Sequence, residues 1–185
     1  MRREQRVYRL PGRGFPMTRR GARGDAVVEL LPVFPERFSA DQLDAVLQRQ
    51  DSAQMLTDLA KSGNMFLISL DADRIWYRYH RLFRELLRDR LRSRDPAGFR
   101  TIAGRAAELL RGNGDVDGAL TQALAAGDRA LAAALVVRDA VQLGFDGRGG
   151  VLARRVGLLD EQTVAEFPDA AIARAWFGVT TGDGE

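Results

Sequence analysis

The chain's only histidine, His80, lies in the stretch WYRYHRLFRELLRDRL, which runs from Trp76 to Leu91 and combines aromatic rings with arginines. An imidazole can act as a general base near neutral pH, and it can also bind a metal. Arginine side chains bind phosphate groups, and aromatic rings stack on nucleic-acid bases. The stretch therefore raises three possibilities for His80: catalysis, contact with nucleic acid, or a structural corner.

Catalysis has the weakest support. A histidine base needs a nucleophile or an orienting acid within reach, and the sequence has no G-x-S-x-G or comparable constellation. It also has no cysteine and one histidine, which excludes a thiolate or histidine-based metal centre. We expect no catalytic residue, no metal site and no enzymatic activity.

Nucleic-acid contact is a minor alternative that involves arginines around the histidine. Arg78, Arg84 and Arg88 could meet phosphates while a neighbouring tyrosine stacks on a base. However, Arg84 and Arg88 stand at helical spacing from Glu85 and Asp89, which favours a salt-bridged surface.

The structural interpretation treats His80 as a partly buried corner that N-caps its own helix between Tyr79 and Phe83. The two tryptophans, Trp76 and Trp176, are both expected in the core because tryptophan at such spacing usually packs.

The elements around this stretch can be predicted from capping and periodicity. Ser39 and Gln42 form a capping-box pattern at the start of a helix, and Asp51 precedes a second helix that ends at Gly63. MFLISL and IWYRY are then predicted as a β-hairpin with an acidic turn, with Ile75, Tyr77 and Tyr79 on one side. From His80 the period changes to that of a helix whose apolar side would contain Leu82, Phe83, Leu86, Leu87 and Leu91. Helix, helix, hairpin, helix is the order of a winged-helix module.

Beyond Pro96 the pattern becomes purely helical. The predicted helices are Phe99 to Leu110, Val116 to Ala126, Arg129 to Leu143, Val151 to Leu159, Glu161 to Phe167 and Ala170 to Thr181. The glycines from Gly147 to Gly150 are predicted as a loop. Short helices with such punctuation favour a solenoid of antiparallel helical hairpins. Ala175, Trp176 and Val179 would then need a cover, supplied by a partner chain or by more of a longer protein.

The charge of the chain is concentrated in residues 1–24, which carry eight arginines and one acid. These residues contribute +7, which leaves −4 for the rest of a chain whose net charge is +3. We predict a disordered basic tail at 1–25, a winged-helix-like module at 26–95 and helical repeats at 96–185. No apolar run reaches the length of a membrane span, so we expect a cytoplasmic protein.

Three stretches together identify a resemblance: DLAKSGNMFLISLDADRIWYRYHRLFRELLRDRL, GNGDVDGALTQALAAGD and FPDAAIARAWFGVTTGD. From about Val28 to Asp183 the chain resembles the MalT-like, ATP-dependent subfamily of LuxR transcription regulators. In that family an NTPase module precedes a winged helix, which precedes tetratricopeptide-like repeats that bind an inducer, and a LuxR helix-turn-helix follows. The resemblance implies a fragment of such a regulator, mainly α, with a partial winged helix followed by TPR-like hairpins.

The same resemblance gives His80 a fourth role. In signal-transduction NTPases a histidine at the equivalent position senses the nucleotide β-phosphate, so Tyr79, His80 and Arg81 become the nucleotide-sensing candidates. The sequence contains no G-x-x-x-x-G-K-[ST] loop, and the LuxR helix-turn-helix is also missing. ATP or ADP would therefore act only through an absent NTPase module, and DNA only indirectly.

The leading hypothesis is a regulatory, protein-interaction module whose partners are the missing domains or another protein, with an inducer as a possible small ligand. The alternative is a stand-alone nucleic-acid-binding protein that uses the basic N-terminal arm and the wing.

Overall fold

The computed structural model describes residues 37–61 and 67–181, with side chains described as far as Trp176. The predicted basic tail and the predicted helix end at Gly63 lie outside these residues. The described residues form a small sheet followed by a series of helices, and the predicted mainly α fold is confirmed. None of the described helices has the length and apolar character needed to cross a membrane.

The sheet contains three antiparallel strands in the order β1, β3, β2: Phe38–Ser39 (β1), Leu67–Ser69 (β2) and Trp76–Tyr79 (β3). The predicted hairpin is confirmed as β2 and β3, with Leu67 opposite Tyr79. Its turn is held by Asp71, whose carboxylate accepts from the backbone N–H of Ile75 at 2.9 Å and of Trp76 at 3.2 Å. Strand β1 was not predicted, because a two-residue strand shows no alternation.

Two short helices separate β1 from β2. Helix α1, Ala40–Leu47, begins with the predicted capping box: the Gln42 N–H donates to Ser39 Oγ at 3.3 Å, and the Ser39 N–H donates to Gln42 Oε1 at 3.1 Å. Helix α2 is Ser52–Lys61, and its first N–H donates to the carboxylate of Asp44 at 3.1 Å. The capping box therefore forms as predicted. The start of α2 is held instead by Asp44, eight residues away, and the cap predicted from Asp51 stays a prediction.

Helix α3, Arg81–Arg94, follows the hairpin as predicted, but its apolar face is narrower than predicted. Leu87 and Leu91 are buried, whereas Leu82 is 69% exposed and Leu86 is 56% exposed. Leu82 and Leu86 lie one helical turn apart, as do Leu87 and Leu91, and the two pairs are rotated by about 140° from each other. Only the second pair faces the core. Ile75 is likewise 54% exposed, which corrects its predicted place beside Tyr77.

Seven further helices follow α3. They are Pro96–Gly112 (α4), Val116–Ala126 (α5), Arg129–Arg138 (α6), Ala140–Phe145 (α7), Gly149–Gly157 (α8), Glu161–Glu166 (α9) and Pro168–Thr181 (α10).

Two predictions within this series were wrong. The predicted helix from Arg129 to Leu143 is divided at Asp139, whose φ of −106° and ψ of 0° leave the helical region. The predicted glycine loop is shorter, because Gly149 and Gly150 form the start of α8. Within this group only Gly147 has a positive φ, +69°, a backbone conformation that favours glycine.

The described residues contain two hydrophobic cores that meet at α4. The first surrounds the sheet and includes Phe38, Tyr77 and Phe99, and the second is formed by the later helices around Leu120 and Leu152. Helix α4 contributes to both cores, with alanines on adjacent sides that let the neighbouring helices approach closely. The predicted domain boundary between residues 95 and 96 stays a prediction.

Candidate functional site at the junction of β3 and α3

His80 occupies the single residue between β3 and α3. Its carbonyl accepts from the N–H groups of Phe83 and Arg84, both at 3.0 Å, so its backbone starts the helix. Its side chain is exposed and makes no capping hydrogen bond. The predicted partly buried, N-capping imidazole was therefore wrong. The imidazole instead faces solvent beside a helix N-terminus, where free N–H groups and the helix dipole favour an anion.

Tyr79 lies on the other side of the backbone, in the core. Its ring centroid is 5.8 Å from those of both Phe38 and Phe83, and 7% of the residue is exposed. Burial raises the pKa of Tyr79, and its hydroxyl has no hydrogen-bond partner among the residues that the structure describes. Of the three nucleotide-sensing candidates, the structure places His80 and Arg81 at the surface and Tyr79 in the interior.

Arg81 and Arg78 flank His80 at the surface. The Arg81 Nε lies 3.2 Å from Glu85 Oε1 in an exposed i,i+4 ion pair. Exposed pairs of this kind are weak, so Arg81 can exchange Glu85 for another anion. Arg78 is exposed on β3, opposite Ile68 in the register of the hairpin. Trp76 shares the strand face of Arg78 and is half-buried beneath the Arg37 guanidinium, 4.6 Å from its ring centroid. Trp76 is thus a half-buried residue near the surface, and its predicted position in the core was wrong.

Three arginines form a row one turn apart along α3: Arg84, Arg88 and Arg92. Among the described residues none of them lies within 4.0 Å of a carboxylate, so the salt-bridged surface predicted for Arg84 and Arg88 was wrong. Burial, followed by the charges of Arg84 and Arg92, lowers the pKa of Arg88, and Asp89 opposes that shift. This arginine row is therefore a concentration of positive charge without an ion pair among the described residues.

A second surface feature lies at the far end of the helical series, where α7 meets α10. Val141, Phe145, Ile172 and Trp176 are 60%, 76%, 65% and 42% exposed, and we name them the apolar edge. The rings of Phe145 and Trp176 meet edge to face at 6.4 Å. The predicted core position of Trp176 was wrong, whereas the expectation that it needs a cover agrees with this exposure. The i,i+4 spacing within each pair was the sequence signal for the edge.

Sequence reasoning missed one charged cluster within the helical series. Arg155 is 8% exposed, and its Nε lies 2.8 Å from Asp117 Oδ1 while Nη1 lies 3.4 Å from Asp139 Oδ2. Arg154 contacts the other Asp117 oxygen at 2.8 Å. Burial raises the pKa of Asp117, but the hydrogen bonds and charges of the two arginines outweigh it and leave that pKa below its ordinary value. No local signal marks this cluster, because its members are far apart in sequence.

These features can bind anions or proteins. Across residues 37–61 and 67–181, no group of three or more histidine, aspartate and glutamate side chains is arranged to hold a metal ion. The expectations that the chain is no enzyme and needs no cofactor stay predictions.

Comparison with known proteins places the winged-helix part in a family. Residues 33–99 match the family model of the MalT winged helix domain. The HTH-type transcriptional regulator MalT of Vibrio parahaemolyticus is 23% identical over 141 residues, which cover 76% of this chain and 16% of the relative. The regulator of the same name from Klebsiella pneumoniae is 27% identical over 136 residues, covering 72% and 15%.

The chain thus spans about one-sixth of the length of the curated relatives it matches. The described fold, a small antiparallel sheet followed by helices, fits a winged helix continued by helical repeats. The resemblance inferred from the sequence is therefore confirmed: residues 33–99 match the MalT winged helix domain, and most of the chain is similar to MalT regulators.

Proposed function

We propose that the chain acts as a regulatory, protein-interaction module of a LuxR-family, MalT-like regulator that responds to a signal and controls transcription. It works in the cytoplasm, and residues 1–185 contribute regulation and binding rather than catalysis. Its helices after α3 act as TPR-like hairpins. The similarity to MalT regulators supports the transcriptional role, and the apolar edge carries the interaction role.

The apolar edge supports protein binding because its side chains are large, contiguous and exposed. Two pairs from different helices meet through the contact between Phe145 and Trp176. Gly144 permits this arrangement, since a Cβ at that position would lie 2.8 Å from Trp176 Nε1. Exposed apolar surface of this kind marks protein contacts in soluble proteins. The partner surface is an apolar helical face, on a flanking domain or on another protein.

The transcriptional role can be tested by replacing the gene in its own cell. Deletion of the coding region and the substitution Phe145→Ser should change the same set of transcripts, because the serine removes a large side chain from the apolar edge. The control is Ile75→Ser, which makes the same kind of change at an exposed residue of the hairpin. If deletion leaves the transcript profile unchanged, the proposed function fails.

We also propose that His80 contributes one half of a nucleotide-sensing site. The exposed imidazole beside the N-terminus of α3 suits a phosphate group, and the complementary half belongs to an NTPase module. ADP titration of the chain mixed with such a module should show tighter binding than the module alone, and His80→Ala should abolish the gain. Equal binding with and without the chain would leave His80 a surface residue.

The alternative function, nucleic-acid binding by the basic arm and the wing, is favoured by one observation. The arginine row, which forms no ion pair in the described part of the chain, and the exposed Arg78 offer positive charge on one module. This alternative predicts salt-dependent binding of duplex DNA whose salt dependence weakens when residues 1–24 are deleted. An unchanged slope after the deletion would exclude a role for the arm.

A further inference from the structure

A cleft lies between α3 and the helices that follow it, away from His80 and the apolar edge. Its walls come from the second half of α3, from α4 and α5, and from the end of α8. Its volume is about 320 Å³, which is within the range of small-molecule sites. The lining residues are Arg88, Arg92, Phe99, Thr121, Leu124, Ala125 and Leu158.

One wall of the cleft is cationic. Arg88 and Arg92 belong to the arginine row, and neither has a carboxylate within ion-pair distance in the described part of the chain. Arg88 is half-buried, and its guanidinium lies 5.8 Å from the centroid of the Phe99 ring. The charge of Asp89 raises the pKa of Arg88, whereas the charges of Arg84 and Arg92 lower it. An anion that enters the cleft would reduce the electrostatic repulsion between this half-buried guanidinium and the two neighbouring arginines.

The rest of the lining is largely apolar. Phe99 is 3% exposed, Leu124 and Ala125 are half-buried, and Leu158 is 50% exposed. An aliphatic or aromatic body in contact with Leu124 and Leu158 would remove apolar surface from water.

We propose that this cleft binds a small organic anion whose apolar body lies on Phe99, Leu124 and Leu158 and whose carboxylate or phosphate contacts Arg88 and Arg92. A duplex would use the exposed ends of the arginine row and leave the apolar lining uncovered. An amphipathic anion uses both the cationic and the apolar lining, so the combination of charge, burial and shape favours the small ligand.

The test uses octanoate as the probe and measures binding to the full chain by calorimetry and saturation-transfer NMR. Octanol, with the same body and no charge, should bind at least about tenfold more weakly, because it lacks the charge-assisted contact with the arginines. Arg92→Gln should weaken octanoate binding by a similar factor. Replacing both Arg88 and Arg92 by glutamine should weaken octanoate binding further. Octyl phosphate compared with octanoate identifies the preferred head group.

The matched control is Arg100→Gln, an exposed arginine on α4 that does not line the cleft, and it should leave octanoate binding unchanged. Leu158→Ser should weaken octanoate and octanol alike, because it removes only apolar contact. The proposal is overturned if octanoate shows no saturable binding, if octanol binds as tightly, or if Arg92→Gln changes nothing. It is also overturned if the glutamine variants lose duplex DNA binding while octanoate binding stays intact. Arg92 is exposed, so its single substitution keeps the test valid if the double variant misfolds.

Discussion

At the scale of single residues, the Arg155 guanidinium and the Asp117 carboxylate form an ion pair at 2.8 Å between helices α8 and α5. The Ser39 and Gln42 capping box was predictable because both partners lie within one turn. The pairing of Arg155 with Asp117 was not, since 38 residues separate them and the sequence shows two ordinary charged side chains. The same limit hid the exposure of His80, because a helix start is visible in sequence whereas the direction of the imidazole is not.

Asp117 should make the stability of the protein depend on acid. Its pKa is lowered in the folded state, so its stabilising effect is complete above the unfolded pKa of about 4 and is lost as pH falls through the folded value. Asp117→Asn should lower the free energy of unfolding by about 1–3 kcal/mol at pH 7, between the values for exposed and fully buried pairs, because Asp117 is half exposed. Urea unfolding between pH 7 and pH 3 measures both effects. An asparagine variant that retains the full acid dependence of the parent would show that Asp117 is not its source.

Tyr79 allows a test that separates packing from hydrogen bonding. Its hydroxyl is buried without a partner, so Tyr79→Phe should leave the free energy of unfolding unchanged or raise it by up to about 1 kcal/mol. Tyr79→Ala should lower it by about 3–5 kcal/mol, because the aromatic contacts with Phe38 and Phe83 are lost. Thermal and urea unfolding of the pair provide the measurement. A loss of more than 1 kcal/mol in the phenylalanine variant would mean that the hydroxyl has a partner in solution.

At the scale of elements, the sequence predicted where helices begin and end better than which side they bury. The hairpin and α5 agree with the predicted boundaries, because turn residues and caps act locally. The exposed pair of Leu82 and Leu86 shows the limit, since an amphipathic pattern gives an apolar arc wider than the surface that α3 contacts. The division of the predicted helix at Asp139 was missed for a similar reason, because apolar residues continue at helical spacing on both sides of Asp139.

Gly144 should control the order of the apolar edge. Gly144→Ala favours helix by about 1 kcal/mol, but the new methyl group would displace the Trp176 indole, whose Nε1 lies 2.8 Å from the added Cβ. We expect little net change in unfolding free energy together with a clear shift of the Trp176 indole N–H resonance. The Trp76 indole resonance serves as the internal control. An unmoved Trp176 signal would show that the two helices do not pack as described.

At the scale of the whole molecule, the fold class followed from the order of predicted elements, and the family from three long motifs. Neither source could show that two cores meet at α4, or that the arginine row forms no ion pair within residues 37–61 and 67–181, because both depend on how the elements pack together. The predicted function follows from similarity to regulators that are much longer than this chain. The apolar edge is what connects that function to the described surface.

The central claim is that a protein surface covers the apolar edge in the cell, and the absence of cysteine from the sequence makes it directly measurable. Phe145→Cys and, as a control, Ile75→Cys each introduce one thiol at an exposed position. The rate of maleimide labelling is then compared between the purified chain and intact cells that express it from its own locus. We predict that Phe145→Cys is labelled in the purified chain and protected in cells, whereas Ile75→Cys is labelled in both. Equal labelling of Phe145→Cys in both settings would contradict the account.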